Sequence, residues 1–443
     1  MHDISRLRCE VAFGAYKADL KPLLTLATAD HVDDKAFWGQ VYHAAVNTPP
    51  AIPRVNLFPP VPWVRLHKDV TTTTEGNEYA EKYVSGYVGP LLIGVPLLWE
   101  TFFGQTRNLA QAANVAFQQC SIGENAPFAD GKWAKRPNVR NQYAVLTWLR
   151  DLVDRVAIFA NAYKPAGLNH GRRCLARPSE QIQYFTKEHK VDFGFVNDPL
   201  ATEATQVPFS KILVPGVLKR DAFDDTVPEG WMDMAWSAKA VITADDERRF
   251  VLGFSLCGNM MRVWLFDRLG GLASDEINID EDGVRFVATL VSILWMDSEQ
   301  LGSDPTIKRT ETGERFIEMP QNGSVERLFL GEAMHRTDCL AGRATKCWRV
   351  YKGGHSKGTP LALKESWQCV TLPEEGILLR DITARGVINV ARYSGHWTER
   401  MDNVPVNVIS LRRGLNIGST KTFYPRNNLG RYMYQSLLSQ CCC

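Results

Sequence analysis

The residues best placed for chemistry are Lys364 and Glu375. Apolar and β-branched composition predicts two short strands, Trp348–Lys352 and Leu361–Lys364, joined by a turn-rich loop. The lysine therefore ends the second strand of a hairpin. A strand lysine beside a carboxylate can orient phosphate groups, since its ammonium is a compact positive charge. The same spacing also fits two separate, solvated surface charges.

The segment after this hairpin is expected to be a helix. Pro373 opens it at the position where a missing N–H costs nothing, and Glu374 and Glu375 occupy the first turn, where negative charge is favoured. Helical spacing places Glu375 on the inward-packing face. The apolar residues predicted on the same face are Leu378, Leu379 and Ile382.

Several distinctive segments occur between Arg249 and Lys421. They are FVLGFSLCGNMMRVWLFDRLG (250–270), LGSDPTI (301–307), GRATKCW (342–348), LALKESWQ (361–368), PEEGILL (373–379) and ARGVINVARY (384–393). On these segments the chain resembles the fungal-type protein kinase family. Weaker similarity extends upstream through VDFGFV (191–196) and KILVPGVLK (211–219), and the family pattern is expected to stop after Ser419.

The resemblance implies ATP-dependent phosphorylation of protein serine or threonine, with ATP and Mg²⁺ as cofactors. It implies that Lys364 contacts the α and β phosphates of ATP and that Glu375 is its helix partner, with Glu374 as the alternative. Gly342 would belong to the loop that covers the phosphates. Ala344 stands where the family usually has glycine, and its Cβ restricts the approach of the backbone to phosphate.

A kinase also needs a His-Arg-Asp type loop and an Asp-Phe-Gly type metal ligand after the strand lysine, and neither occurs there. Asp192-Phe193-Gly194 lies upstream of Lys364, and His335-Arg336-Thr337-Asp338 lies upstream with an extra threonine. We therefore expect only the N-terminal lobe of a kinase, truncated before its C-terminal lobe and inactive by itself. The alternative is a non-catalytic pseudokinase or scaffold.

A third possibility is a metal-dependent nuclease. Asp192 on one strand, followed by a strand ending at Lys219, resembles the core of the restriction-endonuclease-like fold, in which two carboxylates hold a divalent metal. Val217 stands where relatives often have glutamate, and valine cannot bind a metal. The sequence therefore predicts a nuclease-like scaffold more readily than an active nuclease.

Composition is ordinary for a globular protein: 443 residues, 45% hydrophobic, 23% charged, net charge +2. The charge gives no strong nucleic-acid signal, and no apolar run is long enough to span a bilayer. Ten cysteines without metal-ligand spacing indicate mostly buried thiols inside the cell. The terminal Cys441–Cys443 triplet could carry a lipid or could mark an accidental end of the reading frame.

The predicted fold class is α+β, in three domains. Residues 1–180 form a largely helical region, 181–320 a restriction-endonuclease-like α/β domain, and 321–443 the N-terminal lobe of a protein-kinase-like domain. Local patterns predict a strand at Phe250–Leu256 and helices at Phe37–Val46, Asn141–Tyr163 and Glu281–Met296, the last with Asp280 as its N-cap. The protein is expected to be cytoplasmic or nuclear, and its protein substrate or partner is not indicated by the sequence.

Overall fold

The computed structural model describes residues 88–134, 142–168, 171–176, 182–184, 187–189, 191–202, 204–226, 230–321, 324–353, 360–369, 372–401, 403–417, 421–423 and 433–441. These residues divide between two compact units. The smaller unit contains Pro373–His396 and the last described residues of the chain, and the larger contains the rest. The combination of helices and strands confirms the predicted α+β class.

The described helices are α1 (Leu98–Phe102), α2 (Leu109–Cys120), α3 (Gln142–Ala160), α4 (Met232–Ala244), α5 (Gly283–Trp295), α6 (Glu375–Ala384) and α7 (Val408–Leu411). The described strands are β1 (Leu91–Ile93), β2 (Phe128–Ala129), β3 (Lys132–Trp133), β4 (Arg173–Ala176), β5 (Ile182–Tyr184), β6 (Lys187–His189), β7 (Phe193–Val196), β8 (Val214–Lys219), β9 (Val251–Cys257), β10 (Met260–Asp267), β11 (Gly270–Ala273), β12 (Ile277–Asn278), β13 (Lys308–Arg309), β14 (Arg315–Gln321), β15 (Ser324–Arg336), β16 (Lys346–Lys352), β17 (Leu361–Cys369), β18 (Arg392–Thr398), β19 (Arg400–Met401), β20 (Val404–Pro405), β21 (Lys421–Phe423) and β22 (Met433–Cys441).

The larger unit contains a nine-stranded sheet in the order β21-β1-β11-β10-β9-β8-β7-β4, with β12 beside β10. The pairs β1–β11 and β8–β9 are parallel, and the other pairs are antiparallel. Helices α2, α3 and α5 contribute to the core on one face, and α4 to the core on the other. The central strands are therefore covered on both sides.

Strands β9 and β10 show how the sequence produces this arrangement. Alternate residues point to opposite faces of a strand, so a strand covered on both faces must be apolar throughout. Leu252 and Val263 belong to the core beneath α2, α3 and α5. Val251 and Trp264, one position away on each strand, belong to the core beneath α4.

Residues from the predicted N-terminal region share the first of these cores. Leu92 on β1 and Leu149 on α3 belong to one apolar cluster with Leu290 on α5. The indole of Trp133 donates a hydrogen bond to the carbonyl of Ile279 at 2.8 Å, which adds a polar contact between the N-terminal region and the segment before α5. The division into domains at residues 180 and 320 stays a prediction.

A second, antiparallel sheet begins with the meander β13-β14-β15-β16-β17. Leu330, Trp348 and Leu363 are buried along its apolar face. Strand β15 is irregular, with register shifts between Leu330 and Ala333 and between Ala333 and His335. The hairpin predicted from the sequence is present, and both of its strands are longer than expected.

The helix expected from Pro373 begins two residues later in the smaller unit. Glu374 has an extended backbone and acts as the N-cap, so Glu375 is the first helical residue of α6. Leu378 was predicted on the inward face of this helix, but its side chain is 61% exposed. Gly376 is buried instead. It packs so closely against the His396 ring that a Cβ there would lie 2.1 Å from it.

One further local prediction is corrected. The sequence predicts Asp280 as the N-cap of α5, but Asp282 takes this position and accepts a hydrogen bond from the amide of Arg285 at 3.0 Å. Asp280 instead accepts a hydrogen bond from the amide of Trp133.

The expected helix at Phe37–Val46 lies outside the described residues. None of the described helices is long and apolar enough to cross a membrane.

Candidate functional site

Lys364 lies in the middle of β17, in register with Cys347 on β16. The neighbouring pair, Trp348 and Leu363, is buried at 1% exposure each. Because side chains alternate along a strand, Lys364 points to the opposite face from this apolar pair. It is half-buried, whereas the residues on either side of it are buried. The strand thus offers a cation on its more open face.

The turn that contains Gly342 is packed into the larger unit. Gly342 has a φ of +116° and donates its amide to the carbonyl of Arg268 at 2.8 Å. The Arg268 guanidinium returns hydrogen bonds to the carbonyls of Cys339 and Leu340 at 3.2 and 3.1 Å. Arg268 is 2% exposed, so these bonds form in a dry environment and hold the turn firmly.

Ala344 occupies the same turn with a φ of +42°, in the region that favours glycine. Its side chain is buried at 4% exposure in a cluster with Cys339, Trp367 and Val408. The methyl group that strains the backbone therefore also fills space in a core. Apolar burial and backbone strain oppose each other at this position.

A small cavity lies beside the turn, lined by Asp246, Arg268, Arg336, Cys339 and Lys346 among others. Asp246 pairs with the guanidinium of Arg336, and its carbonyl accepts from Lys346 Nζ at 2.5 Å. Asp246 Oδ1 and Arg268 Nε have no hydrogen-bond partner among the described residues. Burial raises the pKa of Asp246, and the positive charges of Arg336, Lys346 and Arg315 partly offset that rise.

Glu374 and Glu375 lie in the smaller unit, at the start of α6. Glu374 Oε2 is 3.2 Å from His396 Nε2, and the hydroxyl of Tyr393 is 2.7 Å from His396 Nδ1. Glu374 is therefore engaged with β18. Lys364 belongs to the larger unit, and its pairing with Glu375 stays a prediction.

The predicted nuclease residues come together at one end of the larger sheet. Asp192 Oδ2 accepts a hydrogen bond from the amide of Leu218 at 2.8 Å. Lys219, at the end of β8, forms an ion pair with Asp233 of α4. Val217 is buried at 1% exposure. Among the described residues, no group of three or more potential metal ligands is placed to hold an ion.

The two kinase-like segments found upstream of Lys364 have structural contacts. Phe193 of Asp192-Phe193-Gly194 is buried against the ring of Phe254, with centroids 4.6 Å apart. Asp338 of the His335–Asp338 run pairs with the buried Lys239 of α4 at 2.6 Å. These contacts account for both segments without a role in catalysis.

Sequence reasoning missed the importance of Asp267 and Arg412. The guanidinium of Arg412 donates two hydrogen bonds to the Asp267 carboxylate, at 2.6 and 2.9 Å, and the Asp267 side chain is fully buried. Arg412 directly follows the short helix α7 as its C-cap residue. The sequence did contain one signal for this pair, because Asp267 is a charged residue at the end of the largely apolar strand β10.

Comparison with known proteins gives one match. The family model described as fungal protein kinase matches residues 190–436, more than half of the chain. The departure from the family expected after Ser419 is therefore wrong, since the match continues to residue 436, within β22. No curated protein and no solved structure matches the chain. The chain belongs to the fungal protein kinase family.

Proposed function

We propose that the chain carries the nucleotide-holding strands of a kinase N-terminal lobe, with Lys364 as the contact to the α and β phosphates of ATP. The observation that supports this proposal is the chain order of the elements. The turn at Gly342 is followed by β16, then by β17 with Lys364 on its more open face, and then by α6 with Glu375 in its first turn. This is the order that the family resemblance implies.

The described residues fit ATP in part. Lys364 is a half-buried cation on the open face of an otherwise buried strand, which suits a phosphate contact. The amide of Gly342 is not available to bind phosphate, because it already donates a hydrogen bond to the carbonyl of Arg268. We therefore assign the phosphate contact to the lysine and none to the turn. Mg²⁺ remains a family expectation with no residue of this chain assigned to it.

The test is ATP binding by the full chain, measured by isothermal titration calorimetry in the presence of Mg²⁺. Lys364→Met should weaken ATP binding about tenfold or more, because a charge-assisted hydrogen bond to phosphate is lost. Lys352→Met is the matched control, since Lys352 lies on β16 of the same sheet and pairs with Glu326 at 2.8 Å. Equal affinities for both variants and the wild type would refute the proposed role of Lys364.

A specific observation favours a second candidate, a non-catalytic pseudokinase or scaffold. The turn that would have to close over phosphate is held by Arg268 through three hydrogen bonds and is buried in two apolar clusters. A scaffold needs no such closure. Incubation with radiolabelled ATP distinguishes the candidates: autophosphorylation that is lost in Lys364→Met would exclude the scaffold.

We also propose that the middle region has a restriction-endonuclease-like fold. The hydrogen bond from the amide of Leu218, near the end of β8, to the Asp192 carboxylate supports this proposal. We propose no nuclease activity, because Val217 cannot bind a metal and Lys219 is paired with Asp233. Cleavage of DNA with Mg²⁺ or Mn²⁺ that disappears in Asp192→Ala would contradict this.

A further inference from the structure

Three neighbouring strands bring three reactive side chains into one row across the second sheet. His335 on β15 is in register with Cys347 on β16, and Cys347 is in register with Lys364 on β17. Directly opposed residues of antiparallel strands lie on the same face, with their Cβ atoms about 4.5–5.5 Å apart. Cys347 therefore lies between a histidine and a lysine on one face of the sheet.

This row is on the more open face of the sheet. Trp348 and Leu363 mark the buried face, and the row occupies the alternate positions. His335 is exposed, and Cys347 and Lys364 are half-buried. A small reagent can therefore reach the thiol from solvent.

Cys347 differs in this respect from the other cysteines whose side chains the structure describes, all of which are buried. Burial raises the pKa of Cys120 to about 11 and the pKa values of Cys174 and Cys257 to about 12, which keeps these thiols protonated and inert. A thiol beside a lysine in a partly exposed position is in the opposite environment, because a neighbouring positive charge favours the thiolate.

We propose that Cys347 is a modification site for low-molecular-weight disulfides and that its modification prevents nucleotide binding at Lys364. The second half of this proposal rests on the proposed function of Lys364 as the phosphate contact. The first half rests only on the row of three residues.

The chemistry is thiol–disulfide exchange. The Cys347 thiol loses its proton to solvent, and the thiolate attacks one sulfur of the disulfide. A new bond forms between Cys347 and that sulfur, the original disulfide bond breaks, and its other half leaves as a thiolate. Cys347 is oxidised to a mixed disulfide while one equivalent of the small disulfide is reduced to a thiol.

The product explains the effect on nucleotide. With glutathione disulfide, the group left on Cys347 is a tripeptide with two carboxylates. It stands beside Lys364 on the same face of the sheet, where its bulk and negative charge compete with phosphate for the ammonium. A low-molecular-weight thiol reverses the exchange, so the modification acts as a switch.

The experiment treats the full chain with glutathione disulfide and follows the Cys347 peptide by mass spectrometry over time. We expect Cys347 to react, and Lys364→Met to slow the reaction at pH 7 by a factor of about 10, with the midpoint of its pH profile moved to higher pH. Lys352→Met controls for charge elsewhere in the sheet, since Lys352 is in register with Leu328 and not with Cys347. Absence of a reaction at Cys347 in the wild type would overturn the modification site, and an unchanged rate in Lys364→Met would overturn the role of the lysine in activating the thiol.

ATP affinity is then measured before and after treatment, each protein being compared with its own untreated sample. We expect treatment to lower the affinity of the wild type at least tenfold and to leave that of Cys347→Ser as it was before treatment, which excludes effects of other thiols. Modified protein that binds ATP as tightly as untreated protein would overturn the switch. Untreated protein that fails to bind ATP would overturn the proposed function itself, and the exchange rates would still decide the modification site.

Discussion

At the scale of single residues, buried charge is concentrated at the end of β10. Asp267 accepts two hydrogen bonds from Arg412 and one from the amide of Leu269, in a site with no solvent access to the carboxylate side chain. An ion pair in such a place contributes little net stability as a pair, but removal of one partner leaves the other charged and unsolvated. The position of α7 relative to the large sheet therefore depends on both residues.

Arg412→Ala should lower the free energy of unfolding by about 3 kcal/mol or more, because it removes the guanidinium that pairs directly with the buried Asp267 carboxylate. Urea denaturation followed by tryptophan fluorescence measures the change. The matched control is Lys308→Ala, which breaks the exposed Lys308–Glu318 pair and should cost less than about 1 kcal/mol. Similar losses in the two variants would show that burial of the Asp267 pair is unimportant.

The carboxyl group of Asp246 makes stability depend on pH. Its pKa in the folded protein is raised from the ordinary value of 3.8 by burial, although Arg336, Lys346 and Arg315 oppose the rise. The folded state consequently binds this proton more tightly than the unfolded state does. The contribution of Asp246 to stability is therefore greatest below pH 3.8 and is lost as the pH rises through the folded pKa.

Asp246→Asn isolates this contribution from that of other groups. The difference in free energy of unfolding, wild type minus variant, should fall as the pH is raised from below 3.8 and become constant above the folded pKa. Urea denaturation at a series of pH values provides the measurement. A difference that increases with pH would mean that the ion pair with Arg336 outweighs burial.

At the scale of elements, the turn between β10 and β11 depends on the absence of a side chain. Gly270 has a φ of +122°, and a Cβ there would lie 2.1 Å from the carbonyl oxygen of Pro90. That oxygen accepts the amide of Gly271 at 2.9 Å, so it cannot move away without loss of a hydrogen bond. The turn thereby joins β11 to the segment that precedes β1.

Gly270→Ala should lower the free energy of unfolding by about 2–4 kcal/mol, through backbone strain and overpacking together. Gly313→Ala separates the two effects, because Gly313 also has a positive φ, of +85°, but a Cβ there would meet nothing within 4 Å. We expect the control to cost about 1 kcal/mol. Thermal or urea unfolding of both variants checks the difference, and equal losses would remove the clash as a cause.

At the scale of the whole molecule, the large sheet takes strands and helices from distant parts of the chain. Strand β1 pairs in parallel with β11, and α2 and α3 share a core with α5. Residues before 180 thus supply two strands of this sheet, β1 and β4, and part of the apolar layer on one of its faces. A core divided in this way exposes a large apolar surface on both parts if the chain is cut.

The protein fragment 181–443 should therefore show no cooperative unfolding transition and should bind a hydrophobic dye, whereas the full chain unfolds cooperatively. Circular dichroism against temperature and dye fluorescence measure the two properties under identical conditions. Cooperative unfolding of the fragment would demonstrate that the layer formed by α2 and α3 is dispensable, and would support the predicted boundary at residue 180.

The sequence alone was sufficient for the family and for the α+β class, and it identified several of the helices and strands. The strand predicted at Phe250–Leu256 is observed at Val251–Cys257, and the helix predicted at Asn141–Tyr163 is observed at Gln142–Ala160. Apolar periodicity reports local geometry, so it identifies elements wherever burial follows one face. The prediction failed at Leu378, because the buried position of α6 is a glycine, which leaves no apolar signal.

Only the tertiary structure decided how residues far apart in the chain meet. It joins Arg412 to Asp267, places the Gly342 amide on the carbonyl of Arg268, and sets Cys347 beside Lys364 through the register of β16 and β17. None of these contacts follows from spacing, because each depends on how whole elements pack. Hydrogen-bond geometry and the exclusion of water then determine which distant groups pair in the interior. These long-range contacts position the candidate site.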